Sequence, residues 1–159
     1  MDPENTLYLD LDYGRITIKM RPDLAPGHVT RIRELVREGF YNGLIFHRVI
    51  EGFMAQTGCP KGTGTGGSGT KLPAEFSEEP FERGTVGMAR AQSPDSGDSQ
   101  FFIMFDEGSF LNGQYTVWGE VVSGMEFVDK IKRGEPPSKP DKIKKVQVAS
   151  DAAKADIQA

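Results

Sequence analysis

The sequence predicts a mainly β protein, a closed eight-stranded antiparallel β-barrel whose open ends are capped by two α-helices. The chain of 159 residues contains 19 glycines and 10 prolines, which is a turn-rich composition. About eight short runs have the pattern of strands, whereas only two stretches have a helical period. Closure into a barrel is expected because it would remove the exposed edges of such a sheet.

The first two strands are predicted to form a hairpin. Apolar residues alternate with polar ones over 7–11 and again over 16–20, with Gly14 in the turn between them. A helix is predicted over 26–38, because four apolar side chains fall on one helical face and Pro26 suits the first turn. Gly39 then suits a left-handed C-cap.

The rest of the chain is predicted to contain one more helix and six strands. That helix spans 123–134, where Ser123 and Glu126 match a capping box and Gly134 ends the pattern. We interpret residues 1–150 as one domain and residues 151–159 as a polar tail with a frayed end. The six strands are predicted over 45–50, 53–56, 85–89, 100–105, 116–122 and 142–148.

Charge and composition exclude several classes of partner. A net charge of −4 and a pI of about 5.2 provide no general basic surface for nucleic acid. The longest apolar run, 101–105, is far shorter than the roughly 20 residues of a transmembrane helix. The acidic N-terminus does not resemble a signal peptide, so we expect a cytoplasmic protein. Cys59 is the only cysteine and is expected to be a buried free thiol.

A glycine-rich segment superficially matches a nucleotide-binding motif. Residues 62–69 satisfy G-x-G-x-x-G twice, but the segment that follows has no helical period to receive a pyrophosphate. The Walker pattern also fails, because Thr70 separates Gly69 from Lys71. We interpret the segment as a flexible loop and keep nucleotide binding as a weak alternative, testable by titration with NAD and ATP.

No metal or other cofactor is expected from the sequence. His28 and His47 have no carboxylate or cysteine at metal-ligand spacing beside them. Asp95 and Asp98 lack the fuller set of oxygen ligands that a calcium loop provides.

One group of segments combines an arginine and amides with aromatic and thioether side chains. In 46–56, strand alternation places Arg48 opposite His47 and puts Met54 and Gln56 on one face. In 100–103, the same alternation puts Gln100 and Phe102 on one face of the strand and Phe101 and Ile103 on the other. One face of the sheet is therefore predicted to be core and the other a candidate pocket. On pattern alone, a place in the core is the better explanation of Phe53, Met54, Phe102 and Leu111.

Three segments, 46–56, 87–91 and 99–103, closely resemble the signature segments of the cyclophilin family of peptidyl-prolyl isomerases. The likeness extends from about Thr6 to Val148. Within the family, the sequence resembles the prokaryotic branch. It implies a capped eight-stranded barrel with an outer groove that binds proline-containing peptides and unfolded or partly folded proteins. It also implies Arg48 and Gln56 as catalytic residues and a substrate-binding role for Phe53, Met54, Ala89, Arg90, Gln100, Phe102, Phe110, Leu111 and Tyr115.

The sequence departs from the common family pattern at four places. Arg90 stands where an Asn is common, a residue is added within 92–99, and Tyr115 replaces a frequent His. Phe110 replaces a frequent Trp whose indole N–H often binds the family's cyclic-peptide inhibitor, cyclosporin. The resemblance therefore implies weakened binding of cyclosporin, because phenylalanine has no such donor.

The residue types suit amide rotation without a covalent step. Resonance makes rotation about an amide C–N bond cost about 18–20 kcal/mol. An apolar pocket can hold the proline ring while Arg48 donates to the imide nitrogen, whose lone pair localises as the bond twists. The first hypothesis is therefore a peptidyl-prolyl cis-trans isomerase that assists protein folding. The second is a proline-peptide binding module or holdase in which turnover is incidental.

Overall fold

A computed structural model describes residues 2–158, with side chains placed up to residue 154. Eight strands form one antiparallel sheet: β1 (Thr6–Leu11), β2 (Gly14–Met20), β3 (Arg48–Ile50), β4 (Met54–Thr57), β5 (Thr85–Met88), β6 (Phe101–Met104), β7 (Val117–Ser123) and β8 (Lys145–Val148). Within residues 2–158, three α-helices accompany them: α1 (Pro26–Arg37), α2 (Met125–Val128) and α3 (Ala149–Gln158). Short 3-10 turns span Pro3–Asn5 and Ser109–Leu111.

The eight strands form a half-barrel that stays open, so the prediction of a closed barrel is wrong. Their order is β3-β4-β6-β5-β7-β2-β1-β8, which leaves β3 and β8 as edges. Two isolated bridges, Val49 with Gly134 and Ile45 with Lys142, cover the open side. Three of the residues over 134–142 are prolines. Because proline lacks a backbone N–H, this segment cannot form a continuous ladder.

The second predicted helix is much shorter than the sequence indicates, and its capping box is wrong. β7 continues through Ser123, and α2 begins only after Gly124, which has φ of +89° and provides no side-chain cap. A Cβ at Gly124 would lie 2.4 Å from the carbonyl oxygen of Arg15. Close packing against β2 therefore fixes where this turn occurs.

The C-terminal segment is helical rather than frayed, as far as residue 158. The base of α3 is fixed by side chains from the N-terminal half of the chain. Arg37 donates to Asp151 at 3.0 Å, and Ser150 donates to Glu4 at 2.8 Å. Residue 159 lies outside the described residues.

Two apolar clusters lie on opposite faces of the sheet. The larger cluster packs between the strands and α1 and includes Ile18, Ile32, Ile103 and the fully buried Trp118. The smaller cluster lies on the outer face of β4, β6 and β7. It contains Met54, Phe81, Phe102, Met104, Leu111 and Val117. The predicted alternation in β6 is confirmed, because Phe101 and Ile103 belong to the first cluster and Phe102 to the second.

Candidate functional site

A row of cross-strand partners builds the candidate site on the outer face. Arg48 pairs with Gln56, Gln56 with Phe102, and Phe102 with Gly87, across β3, β4, β6 and β5. Because direct partners in antiparallel strands project from the same face, the register alone brings the arginine, the amide and the aromatic ring together.

Gly87 makes room for the aromatic floor of the site. A Cβ at this position would lie 2.7 Å from Phe102 Cζ and 2.7 Å from Phe81 Cε2. The rings of Phe81 and Phe102 stack with centroids 5.8 Å apart and an interplanar angle of 21°. The bare backbone of β5 therefore allows two aromatic rings to pack flat against the sheet.

The outer face of the sheet contains an opening of about 110 Å³ at this place, which we call the apolar pocket. Nine of the eleven residues predicted for the site line it. They are Arg48, Phe53, Met54, Gln56, Ala89, Arg90, Phe102, Leu111 and Tyr115. Phe102, Met54 and Leu111 also belong to the smaller apolar cluster. These three residues are therefore both part of a core and part of the pocket lining.

The guanidinium group of Arg48 lies at the mouth of the apolar pocket. Its Nη1 donates to Gln56 Oε1 at 3.4 Å, and its Nε donates to Glu135 Oε1 at 3.2 Å. The side chain of Arg48 is 45% exposed. No other acceptor for it is found among the described residues, so three of its five N–H donors are available to a ligand.

Beyond Gln56, a second and more polar opening continues the site. Gln56 Nε2 donates to Gln100 Oε1 at 3.0 Å, and Gln100 Nε2 donates to the carbonyls of Gly64 and Gly66, both at 2.9 Å. The opening has a volume of about 280 Å³, and we call it the polar groove. Its lining includes Gln100, Ala91, Lys71, Asp98 and residues of 64–67.

The glycine-rich segment forms one wall of this groove, a role that the sequence interpretation missed. Asp98 accepts hydrogen bonds from the backbone N–H groups of Ser68 and Gly69 at 2.8 and 3.0 Å. Cys59 Sγ accepts from Gly64 and Gly66 N–H at 3.3 and 3.2 Å. The segment is therefore fixed from both sides, and the pattern of glycines alone could not have indicated its partners.

The expectation that Cys59 is a buried free thiol is confirmed. Burial acts to raise its pKa, but the backbone N–H groups of the glycine-rich segment have the larger combined effect. They lower the pKa of Cys59 to about 7.

The family model described as cyclophilin type peptidyl-prolyl cis-trans isomerase/CLD matches residues 6–148. The chain belongs to this family. A probable peptidyl-prolyl cis-trans isomerase of Brucella suis is 59% identical, over 94% of this chain and 85% of the relative. Peptidyl-prolyl cis-trans isomerase B of Bacillus subtilis is 46% identical, over 78% of this chain and 87% of the relative. The protein is therefore a peptidyl-prolyl cis-trans isomerase, as its resemblance to the cyclophilins implied.

Solved cyclophilins have the same fold. A cyclophilin from Hirschia baltica superposes with a TM-score of 0.88 at 31% identity, covering 95% of this chain and 76% of that chain. A Cryptosporidium parvum cyclophilin type isomerase, crystallised in the presence of the dipeptide Ala-Pro, superposes with a TM-score of 0.83 at 28% identity. That match covers 90% of this chain and 98% of that chain.

In this cyclophilin, Arg90 has a structural role that the sequence did not indicate. Its guanidinium carbon lies 4.4 Å from the centroid of the Tyr115 ring. Its nitrogens donate to the carbonyl of Gln114 at 2.7 and 3.2 Å and to those of Ala91 and Gln92. Arg90 thereby joins the loops on the two sides of the apolar pocket, and the Tyr115 ring forms one wall of it.

Phe110 and Gln100 are the two predicted site residues that do not line the apolar pocket. Phe110 is 70% exposed, and its ring centroid lies 5.5 Å from that of Phe53 at the rim. Gln100 instead lines the polar groove.

Neither histidine contributes to the site surface. Burial lowers the pKa of His47, and this effect is larger than the opposing influence of the Gln100 side chain. Among the described residues, no three or more His, Cys, Asp or Glu side chains are grouped so that they could hold a metal ion. Within the same part of the chain, no helix combines the length and the apolar character needed to cross a membrane.

Proposed function

We propose that this isomerase holds the proline ring of its substrate in the apolar pocket and uses Arg48 to stabilise the twisted amide. The observation that carries the proposal is the position of the Arg48 guanidinium at the pocket mouth, with three donors free of partners among the described residues. Gln56 assists by accepting from Arg48 and by extending the polar surface toward the polar groove.

The proposed roles follow from what changes during rotation. In the planar amide the nitrogen lone pair is delocalised, whereas in the twisted amide it localises and accepts a hydrogen bond. A donor placed over that nitrogen therefore stabilises the transition state more than the ground state. A 10⁵-fold acceleration requires about 7 kcal/mol, which oriented hydrogen bonds in a partly dry pocket can supply. Arginine suits this task because it stays charged and presents a planar fork.

The substrate side of the proposal is a proline-containing segment of an unfolded or partly folded protein. The pocket offers apolar area from Phe53, Met54, Phe102 and Leu111, which matches a pyrrolidine ring. The backbone of residues flanking the proline would follow Ala89, Arg90 and Gln100 into the polar groove. The crystal structure of the Cryptosporidium relative in the presence of the dipeptide Ala-Pro supports a proline-containing peptide as the ligand.

We further propose that the protein acts in the cytoplasm. The chain contains a single cysteine, so it cannot form the intrachain disulfides that are common in proteins of oxidising compartments. Cell fractionation with an antibody against the native chain would test this location. Recovery of the protein outside the cytoplasm would contradict it.

NMR exchange spectroscopy on an unstructured Xaa-Pro peptide tests the proposed site. At catalytic protein concentration, cis and trans peptide signals should exchange and broaden, since the uncatalysed step takes roughly 10–100 s. In the same sample, the peptide should shift the backbone amide signals of Ala89, Gln100 and Phe102. Exchange accompanied by shifts on another face of the sheet would overturn the site assignment while leaving the activity intact.

A further inference from the structure

Glu135 lies beside the guanidinium group of Arg48 and outside both openings described above. Its Oε1 accepts from Arg48 Nε at 3.2 Å. The sequence gives no sign of this contact, because the two residues are 87 positions apart. Glu135 contributes no lining to the apolar pocket, so its contact with the site is made through Arg48.

Backbone pairing, rather than a chance meeting of two long side chains, puts Glu135 in this place. Gly134 and Val49 exchange two hydrogen bonds of 2.8 Å, which fix the segment after α2 to the edge strand β3. Gly134 has φ of +144°, and a Cβ there would lie 2.5 Å from Pro137 Cα. The turn is therefore too tight for a larger residue, and it places Glu135 next to the strand that carries Arg48.

We propose that Glu135 is a positioning residue for Arg48. Glu135 occupies the Nε end of the guanidinium group and Gln56 occupies Nη1, so the planar fork is held at two points. Held in this way, the remaining donors stay over the apolar pocket. This inference rests on the proposed role of Arg48 and adds the group that orients it.

Exposure sets the size of the effect. The side chains of Arg48 and Glu135 are 45% and 58% exposed, and exposed pairs of this kind change an equilibrium by a factor of about two to five. Without Glu135, the long arginine side chain would spend part of its time in rotamers that point into solvent. We therefore expect Glu135→Ala to lower kcat about two- to five-fold with KM unchanged, because the pocket itself is intact.

A conservative variant separates orientation from charge. Glu135→Gln removes the negative charge but keeps an oxygen that accepts from Arg48 Nε. If orientation is what matters, Glu135→Gln should retain a kcat close to that of the wild type and above that of Glu135→Ala. A kcat as low as that of the alanine variant would show that the charge, and not the positioning contact, is responsible, and would overturn the proposal.

Glu51 provides a matched control, because it is another exposed carboxylate that pairs with an arginine Nε. Its carboxylate pairs with Arg133 Nε at 2.6 Å and is 78% exposed, and it has no hydrogen bond to Arg48. Glu51→Ala should therefore leave kcat and KM unchanged. A loss as large as that of Glu135→Ala would mean that removing any exposed, arginine-paired carboxylate has this effect, and the specific proposal would fail.

The decisive experiment measures kcat and KM for Glu135→Ala in the wild-type and Arg48→Ala backgrounds, with peptide exchange as the assay. A positioning residue has no effect once Arg48 is removed, so the second comparison should show no change. An equal loss in both backgrounds, or no loss in the first, overturns the proposal. If Arg48→Ala itself retained full activity, the proposed function would fail instead, which is a distinguishable result.

A spectroscopic readout complements the kinetics. In the wild type, the Arg48 Nε–H should give a protected NMR signal because it donates to Glu135. That protection should persist in Glu135→Gln and disappear in Glu135→Ala. Equal protection in wild type and Glu135→Ala would contradict the contact in solution.

Discussion

Arg48 and Gln56 are direct partners in the β3–β4 register, and their side chains meet on the outer face with Nη1 3.4 Å from Oε1. Gln56 in turn is the direct partner of Phe102 on β6. The cation, the amide and the aromatic floor of the apolar pocket are thus placed by three neighbouring strands. Their relative positions depend on strand register rather than on a mobile loop.

Arg48→Ala tests the chemical role of the guanidinium group. If Arg48 acts mainly on the twisted amide, the exchange rate should fall by 10²-fold or more, about 2.7 kcal/mol, while peptide affinity changes much less. Exchange NMR gives the rate and peptide titration gives the affinity. Equal losses in both quantities would refute the assigned role, since they indicate an interaction made with the ground state as well.

Phe102→Ala should weaken peptide binding and turnover together. It removes a pocket wall that contacts the substrate's proline ring in both the ground state and the transition state. Phe102 is only 5% exposed and stacks on Phe81, so the truncation should also lower stability by about 3–5 kcal/mol. Binding must therefore be measured below the lowered melting temperature, with circular dichroism confirming the fold. Unchanged affinity in the folded variant would assign Phe102 to the core alone.

Strand alternation in the sequence was sufficient to predict much of the site. In β6, the alternation correctly separated Phe101, which packs toward α1, from Phe102, which faces the apolar pocket. The same rule placed Met54 and Gln56 on one face of β4. These predictions succeeded because strand periodicity is local and requires only that the strand be identified.

Contacts between distant segments were not predictable in this way. Glu135 reaches Arg48 through a backbone bridge between Gly134 and Val49, and no local pattern encodes that bridge. The open edge of the half-barrel also depends on contacts between distant segments. The proline-containing segment after Gly134 lies where a continuous strand ladder would have closed the sheet. Arg90 lines the apolar pocket as expected, but its hydrogen bonds to the carbonyl of Gln114 across that pocket were not indicated by the sequence. Each of these outcomes depends on which segments meet in the folded chain.

Stability should fall as the pH is lowered from 7, because buried His28 favours its neutral form. Glu75 Oε1 lies 2.6 Å from His28 Nδ1, and the Glu75 carboxylate also accepts from the backbone N–H groups of Gly27 and His28 at the start of α1. Burial lowers the pKa of His28 below 6.5, an effect larger than the opposing influence of Glu75. The neutral imidazole then donates to an ionised carboxylate.

His28 stabilises the folded protein only while it is neutral. In the unfolded chain this histidine takes up a proton near pH 6.5, whereas in the folded protein it does not. The contribution of His28 to the free energy of unfolding is therefore complete above pH 6.5 and declines as the pH falls below it. Below pH 4.5 a further loss is expected, because interactions with His28 and the backbone N–H groups outweigh burial and lower the pKa of Glu75. Thermal melts between pH 7.5 and 4 measure both effects.

Histidine variants provide the control for these melts. Burial also lowers the pKa of His47, so His28→Gln should remove only part of the decline below pH 6.5. The double variant with His47→Gln should remove most of it. A decline of unchanged steepness in the double variant would show that other groups cause the pH dependence.

Phe110→Trp should tighten the binding of cyclosporin while leaving peptide exchange nearly unchanged. The resemblance to the cyclophilins implies that an indole N–H at this position binds cyclosporin, and phenylalanine offers no such donor. We therefore expect the wild type to bind the inhibitor several-fold more weakly than relatives that carry the tryptophan, and up to roughly a hundred-fold more weakly if a buried acceptor on the inhibitor is left unpaired.

The position of Phe110 explains why substrate turnover should be insensitive to the Phe110→Trp substitution. Phe110 lies at the rim, 70% exposed and in contact with Phe53, whereas the apolar pocket is lined by other residues. A new N–H at this exposed site contributes about 0.5–1.5 kcal/mol, which corresponds to a gain of about two- to twelve-fold in affinity. Isothermal titration with cyclosporin measures the gain, and exchange NMR checks the turnover. An unchanged dissociation constant would mean that Phe110 does not correspond to the indole position, and the assignments of Leu111 and Tyr115 would then need revision as well.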